Sequence, residues 1–134
     1  MKLAIPVSSG RVSNAFDFAR RLLVVEYEDD REVARTEVPL QEDLPLSRAN
    51  RLGALGVRLL ICGAISRPLA AHLLGVGIDV MPFVSGFVHE VLEGYRRGDL
   101  ESARFLMPGS TADDRTEWRR RLPGAAASRV VRRV

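Results

Sequence analysis

The sequence predicts an α/β domain with a mixed sheet of about five strands and flanking helices. Three patterns point there. A short apolar run opens the chain, two β-rich runs flank a charged turn, and from residue 57 onward apolar strands alternate with segments of helical period.

Residues 2–7 are apolar and run into Ser8-Ser9-Gly10, which reads as a buried first strand ending in a turn. Residues 22–27 and 32–38 are rich in β-branched residues, and Glu28-Asp29-Asp30-Arg31 between them predicts an antiparallel hairpin. A helix is expected over 46–55, with Ser47 as its N-cap, Leu52 and Leu55 on one face and Gly56 as its stop. Strand 57–62 follows, then a helix over 67–75 opened by Ser66 as N-cap, with Pro68 in the first turn, where a missing N–H costs little. Residues 78–83 form a further strand. Val88, Val91, Leu92 and Tyr95 then fall at helical spacing, closed by Arg96-Arg97-Gly98 with cations at the negative end of the helix. This strand–helix–strand–helix order makes the first, fourth and fifth strands parallel neighbours whose carboxyl ends open on one side.

Two regions emerge: a domain over residues 1–109 and a basic tail over 110–134, with a short helix expected at 114–122 capped by Asp113 or Asp114. Little in the tail beyond Trp118 and Leu122 could offset the cost of ordering it, so its last dozen residues are expected to be mobile. The formal charge of +3 resides entirely there: residues 1–98 carry 12 basic and 12 acidic side chains, residues 99–134 carry 8 and 5. A neutral body argues against nucleic-acid binding. No apolar run reaches the roughly 18 residues of a membrane span and the start is not a signal peptide, so the reading is a cytoplasmic protein. The single cysteine, Cys62, excludes an internal disulfide and a Cys-only metal site within one chain, and suits a reducing compartment.

Cys62 falls at the carboxyl end of a predicted strand, where its thiolate could serve as a soft metal ligand; the plain alternative is a small buried hydrophobe. His89, early in the last predicted helix of the domain, could add a nitrogen ligand or be a solvated surface residue. His72 borders an apolar stripe and reads as a partly buried imidazole. Ser9 and Gly10, Gly63, and Ser85 and Gly86 lie in loops after strands, and the N-termini of the helices near Ser66 and Ser85 would attract an anion. No Walker loop or GxGxxG is present. Asp17, Asp79 and Glu90 form no recognisable carboxylate constellation, and no nucleophile–base pair is visible, so the sequence reads as a binding protein and not as an enzyme.

The opening Met1-Lys2-Leu3-Ala4-Ile5-Pro6-Val7, the loop Arg11-Val12-Ser13-Asn14-Ala15-Phe16-Asp17-Phe18-Ala19, the hairpin, Gly56-Val57-Arg58-Leu59-Leu60-Ile61-Cys62-Gly63-Ala64-Ile65 and Gly77-Ile78-Asp79-Val80 together resemble the NifX-like family of nitrogenase iron-molybdenum cofactor biosynthesis. The resemblance runs to about Gly98. It implies an RNase H-like fold and a role in carrying an iron-sulfur or iron-molybdenum cofactor precursor, bound transiently, among metallocluster assembly or acceptor proteins. With Cys62 and His89 as the soft or borderline ligands of the rim, one chain cannot fully coordinate a four-iron cluster, so a second subunit in a homodimer, a thiol cofactor or solvent is expected to complete it. The family's loop often carries His-Phe-Gly where this chain has Ala15, Phe16 and Asp17. A related subset ends its domain in Met-Pro-Gly-Cys, where this chain has Met107-Pro108-Gly109-Ser110. Cluster binding here must therefore rest on other residues. The competing reading is a metal-free interaction module that kept the fold after losing its ligands.

Overall fold

A computed structural model describes residues 1–121. Its elements are strand β1 (Lys2–Ser8), β2 (Arg11–Val12), β3 (Arg21–Glu28), β4 (Arg31–Pro39), helix α1 (Pro45–Ala54), β5 (Val57–Ile61), α2 (Arg67–Gly75), β6 (Asp79–Met81), α3 (Val88–Arg97) and α4 (Ala112–Arg120), with 3-10 turns at Phe16–Phe18 and Ala103–Phe105. The sheet runs β4-β3-β1-β5-β6, and the short β2 folds back on β1. Pairing is antiparallel from β4 to β1 and parallel from β1 through β5 to β6, as the strand–helix rhythm predicts.

Alternation along the central strands sends side chains into two layers. Ala4, Leu22, Val24 and Leu60 face α1 and α2, joining Ala49, Leu52, Leu69 and Leu73; Leu3, Ile5, Leu23, Val25 and Ile61 face α3, joining Val88, Val91, Leu92 and Tyr95. Each such Leu or Ile removed from water contributes roughly 1.5–3 kcal/mol. Both layers are needed because β1 and β5 are apolar on each face.

Several boundaries differ from the sequence expectation. Helix α1 starts at Pro45 with Leu44 as N-cap, so Ser47 lies inside the first turn and caps nothing; proline at this position supplies the helical φ and lacks only a donor that would be orphaned anyway. Strand β6 is shorter than expected, and residues 11–12 form a strand where a loop was expected. The last helix is capped by Thr111, not by Asp113 or Asp114: its side chain accepts from Asp114 N–H (3.1 Å) while the Asp114 carboxylate accepts from Thr111 N–H (2.8 Å), a reciprocal capping box. Leu122, the expected end of that helix, and the last dozen residues, for which mobility was expected, lie outside the described part. No helix among the described residues is long and apolar enough to cross a membrane.

Candidate functional site

The loops at the carboxyl ends of β1, β5 and β6 meet, as parallel neighbours require. Phe16 N–H donates to Ala64 O (2.9 Å) and Ala64 N–H to Asn14 O (2.8 Å), tying the loop after β2 to the loop after β5. Phe83 N–H donates to Gly63 O (2.9 Å), and Val12 N–H to Gly86 O (3.0 Å), so the loop after β6 joins them. Gly63 is obligatory at the junction: a Cβ there would stand 2.5 Å from Asn14 O and 2.7 Å from Ser13 O. The turn at Ser9 and Gly10 is exposed, with φ of 52° and 76°, and Gly10 O accepts the first N–H of α3, from Val88 (2.9 Å). Ser85 and Gly86 lead into α3, and Ser85 N–H is taken by Phe105 O (2.8 Å).

Beside these loops lies a cleft of about 420 Å³ lined by Ser8, Arg11, Val12, Ser13, Asn14, Ala15 and Phe18. Its rim is aromatic and cationic. Phe18 is 81% exposed, Phe87 is 45% exposed, and the Arg11 guanidinium lies 4.4 Å from the centre of the Phe87 ring.

The N-terminus of α2 is already occupied. Ser66 caps it as expected, accepting from Leu69 N–H (3.4 Å), but the Asp17 carboxylate also accepts from Ser66 N–H (2.8 Å) and from the Ser66 hydroxyl. The anion expected at this helix end is thus supplied by the chain itself.

Cys62 is completely buried, within the core layer that faces α1 and α2. Burial, reinforced by the Asp17 charge, pushes its thiol well above the ordinary range, so the thiolate that iron requires is suppressed. His89 is exposed on α3, the helix that covers the opposite face of the sheet, and stacks on Phe87 at 5.9 Å. The structure therefore does not bring Cys62 and His89 together. Ala15 lines the cleft with a methyl group, Ser110 donates its N–H to Met107 O (2.9 Å), and His72 is half-buried on α2. No cluster of three or more His, Cys, Asp or Glu residues suited to a metal ion occurs among the described residues.

Two buried arginines organise this region and were not anticipated. Arg48 of α1, 1% exposed, donates to Phe16 O and Ala19 O (both 2.8 Å) and to Glu42 O (2.9 Å), pinning the loop that carries Asp17 and Phe18. Arg115 of α4, 2% exposed, donates to Pro82 O (2.9 Å) and Phe83 O (3.4 Å). Burial lowers the pKa of both guanidinium groups. A signal for Arg48 was present, since it shares the inward stripe of α1 with Ala49 and Leu52, but stripe arguments assign such positions to apolar side chains.

Solved structures share this architecture. A protein of Methanocaldococcus jannaschii provisionally named a dinitrogenase matches with a TM-score of 0.63 at 20% identity, over 74% of this chain and 90% of its own. A Thermotoga protein provisionally named a NifB protein matches with a TM-score of 0.59 at 22% identity, over 73% and 89%. At such identities these matches establish the fold alone. Among curated proteins no sequence relative matches. The sequence profile described as "Dinitrogenase iron-molybdenum cofactor" matches residues 1–98, from β1 to the end of α3, and the chain belongs to that family.

Proposed function

We propose that this chain is a non-catalytic binding protein of metallocluster assembly that acts as an interaction module and holds no cluster through its own side chains. The observation that carries this reading is the sealing of Cys62 in the core. With the thiol buried, Ala15 in place of the family's imidazole and Asp17 at the end of α2, no set of side chains among the described residues fits an iron-sulfur or iron-molybdenum cluster. The aromatic and cationic rim of the cleft offers what a protein partner would use, since exposed aromatic and arginine side chains dominate binding energetics at interfaces. Its partners would be assembly or acceptor proteins, in a reducing, cytoplasmic compartment that keeps the lone thiol free.

Anaerobic incubation with iron and sulfide followed by gel filtration tests the proposal. The protein is expected to emerge without stoichiometric iron, and Cys62→Ala to behave identically. Stoichiometric uptake lost in Cys62→Ala would overturn it.

A second reading is favoured by the cleft itself: a carrier that briefly holds a precursor already bearing its own ligands, through Arg11 and the polar groups of Ser8, Ser13 and Asn14. In that case uptake of a thiol-ligated cluster would fall in Arg11→Ala and be indifferent to Cys62→Ala.

A further inference from the structure

Among the described residues, strand β4 stands at the edge of the sheet and pairs with β3 alone. Residues 31–37 are exposed along both faces, so neither helical layer covers them. A long edge strand of this kind presents unpaired backbone groups, which natural proteins either blunt or use.

Two features delimit the usable part. The register shifts opposite Glu26 and Tyr27, leaving Val33 as the extra residue of a bulge, and Pro39 has no N–H to offer. Between them residues 34–38 are regular. Leu40 N–H donates to Arg20 O (2.7 Å), so Leu40 turns its backbone toward β3. Antiparallel alternation then turns Val38, Thr36 and Ala34 the same way and leaves the N–H and C=O of Arg35 and Glu37 facing outward.

An antiparallel partner identical to β4 must exchange bonds with those two residues, which allows three registers. One sets Arg35 against Arg35 and another Glu37 against Glu37, both like-charge pairs. The remaining register sets Arg35 of each copy against Glu37 of the other, with Thr36 meeting Thr36 on the two-fold axis and Ala34 meeting Val38 twice. Opposite charges lie on one face of the strand and small or apolar side chains on the other, so this register alone is complementary throughout.

We propose that β4 is a self-association surface, through which two copies of this chain join their sheets antiparallel in the register that pairs Arg35 with Glu37. In the isolated chain Arg35 is held by Glu32 on its own strand and Glu37 by Arg21 of β3, so both side chains already lie over the face where the pairs form. A five-residue ladder is far smaller than a standard interface of roughly 1,600 Å², so the dimer is weak and concentration-dependent. This surface is separate from the cleft and from Cys62, and its test is independent of any cluster.

Sedimentation velocity over a micromolar-to-millimolar series is the measurement. The native chain is expected to shift from monomer to dimer across that range. Arg35→Glu and Glu37→Arg, each alone, replace both attractive pairs by repulsive ones and should weaken association at least about tenfold. The two single variants mixed together regain complementarity and should form a heterodimer, and the double variant should dimerise like the native chain. Circular dichroism confirms that each variant is folded. A native chain that stays monomeric throughout overturns the proposal. So does a dimer whose affinity ignores the single substitutions, or single variants that fail to pair when mixed.

Discussion

Gly63 shows how closely one residue can set the geometry of a rim. Carbonyl oxygens of Ser13 and Asn14 occupy the space a side chain would need, and backbone cannot yield as a side-chain tip can. Gly63→Ala should therefore force the loops after β2 and β5 apart and cost roughly 1–3 kcal/mol, the usual penalty of overpacking, read as a lower urea midpoint. An unchanged midpoint would mean that the loops separate freely. Asp17 acts beside it: its carboxylate caps α2 and adds to the suppression of the Cys62 thiolate. Phe83, with φ of 62°, holds a conformation that L side chains adopt only at a cost; its carbonyl accepts from Met107 N–H (2.9 Å) and from Arg115, and its ring meets Trp118 edge-on at 6.2 Å.

At the scale of elements, α4 illustrates docking by few contacts. It follows the matched family region and attaches through Arg115, through Trp118 against Phe83 and the core, and through Arg119 to Glu101 (3.2 Å). Among the described residues, its buried guanidinium is bonded only to carbonyls and the Trp118 indole N–H has no partner, so burial of these groups offsets part of what docking gains. Trp118 is the only tryptophan in the sequence, so its emission reports this helix. Arg115→Ala is expected to shift that emission to the red under native conditions while the far-ultraviolet dichroism of the sheet persists. Emission identical to that of the native chain would show that Arg115 does not hold the helix.

For the whole molecule, the buried thiol gives a pH dependence whose sign follows from proton counting. In the unfolded chain Cys62 ionises around its ordinary value of 9.0, whereas in the folded chain burial keeps the proton on. Above that pH the unfolded state binds fewer protons than the folded state, so stability falls as pH rises, by up to about 1.4 kcal/mol per unit from this group. Below it the effect vanishes. Cys62→Ala should remove this component, so the unfolding free energy of the native chain should fall relative to that of the variant between about pH 8.5 and about pH 10.5, which brackets the ordinary thiol value of 9.0. Parallel pH profiles for the two proteins would show that the thiol is not shielded as the structure has it.

Periodicity by itself determined the layer plan of this protein. Apolar runs of period two and stripes of helical period state which faces must leave water, and that requirement alone yields the hairpin, the parallel strands β1, β5 and β6 and the meeting of their loops. Local chemistry also marked the Ser66 cap and the stop at Gly98, since each depends on near neighbours only. The fate of the candidate ligands was decided by tertiary structure. Cys62 looked the same in sequence whether it ended a strand at the rim or was sealed beneath it, and only the packed layers set it inside, with His89 on the helix covering the other face. The stripe of α1 marked the Arg48 position as inward, but neither Arg48 nor Arg115 could be read as an anchor, because their partners are backbone carbonyls 29 or more residues away in the chain for all but one bond. Desolvation and long-range hydrogen bonding depend on what the fold brings near, and no pattern along the chain encodes that directly.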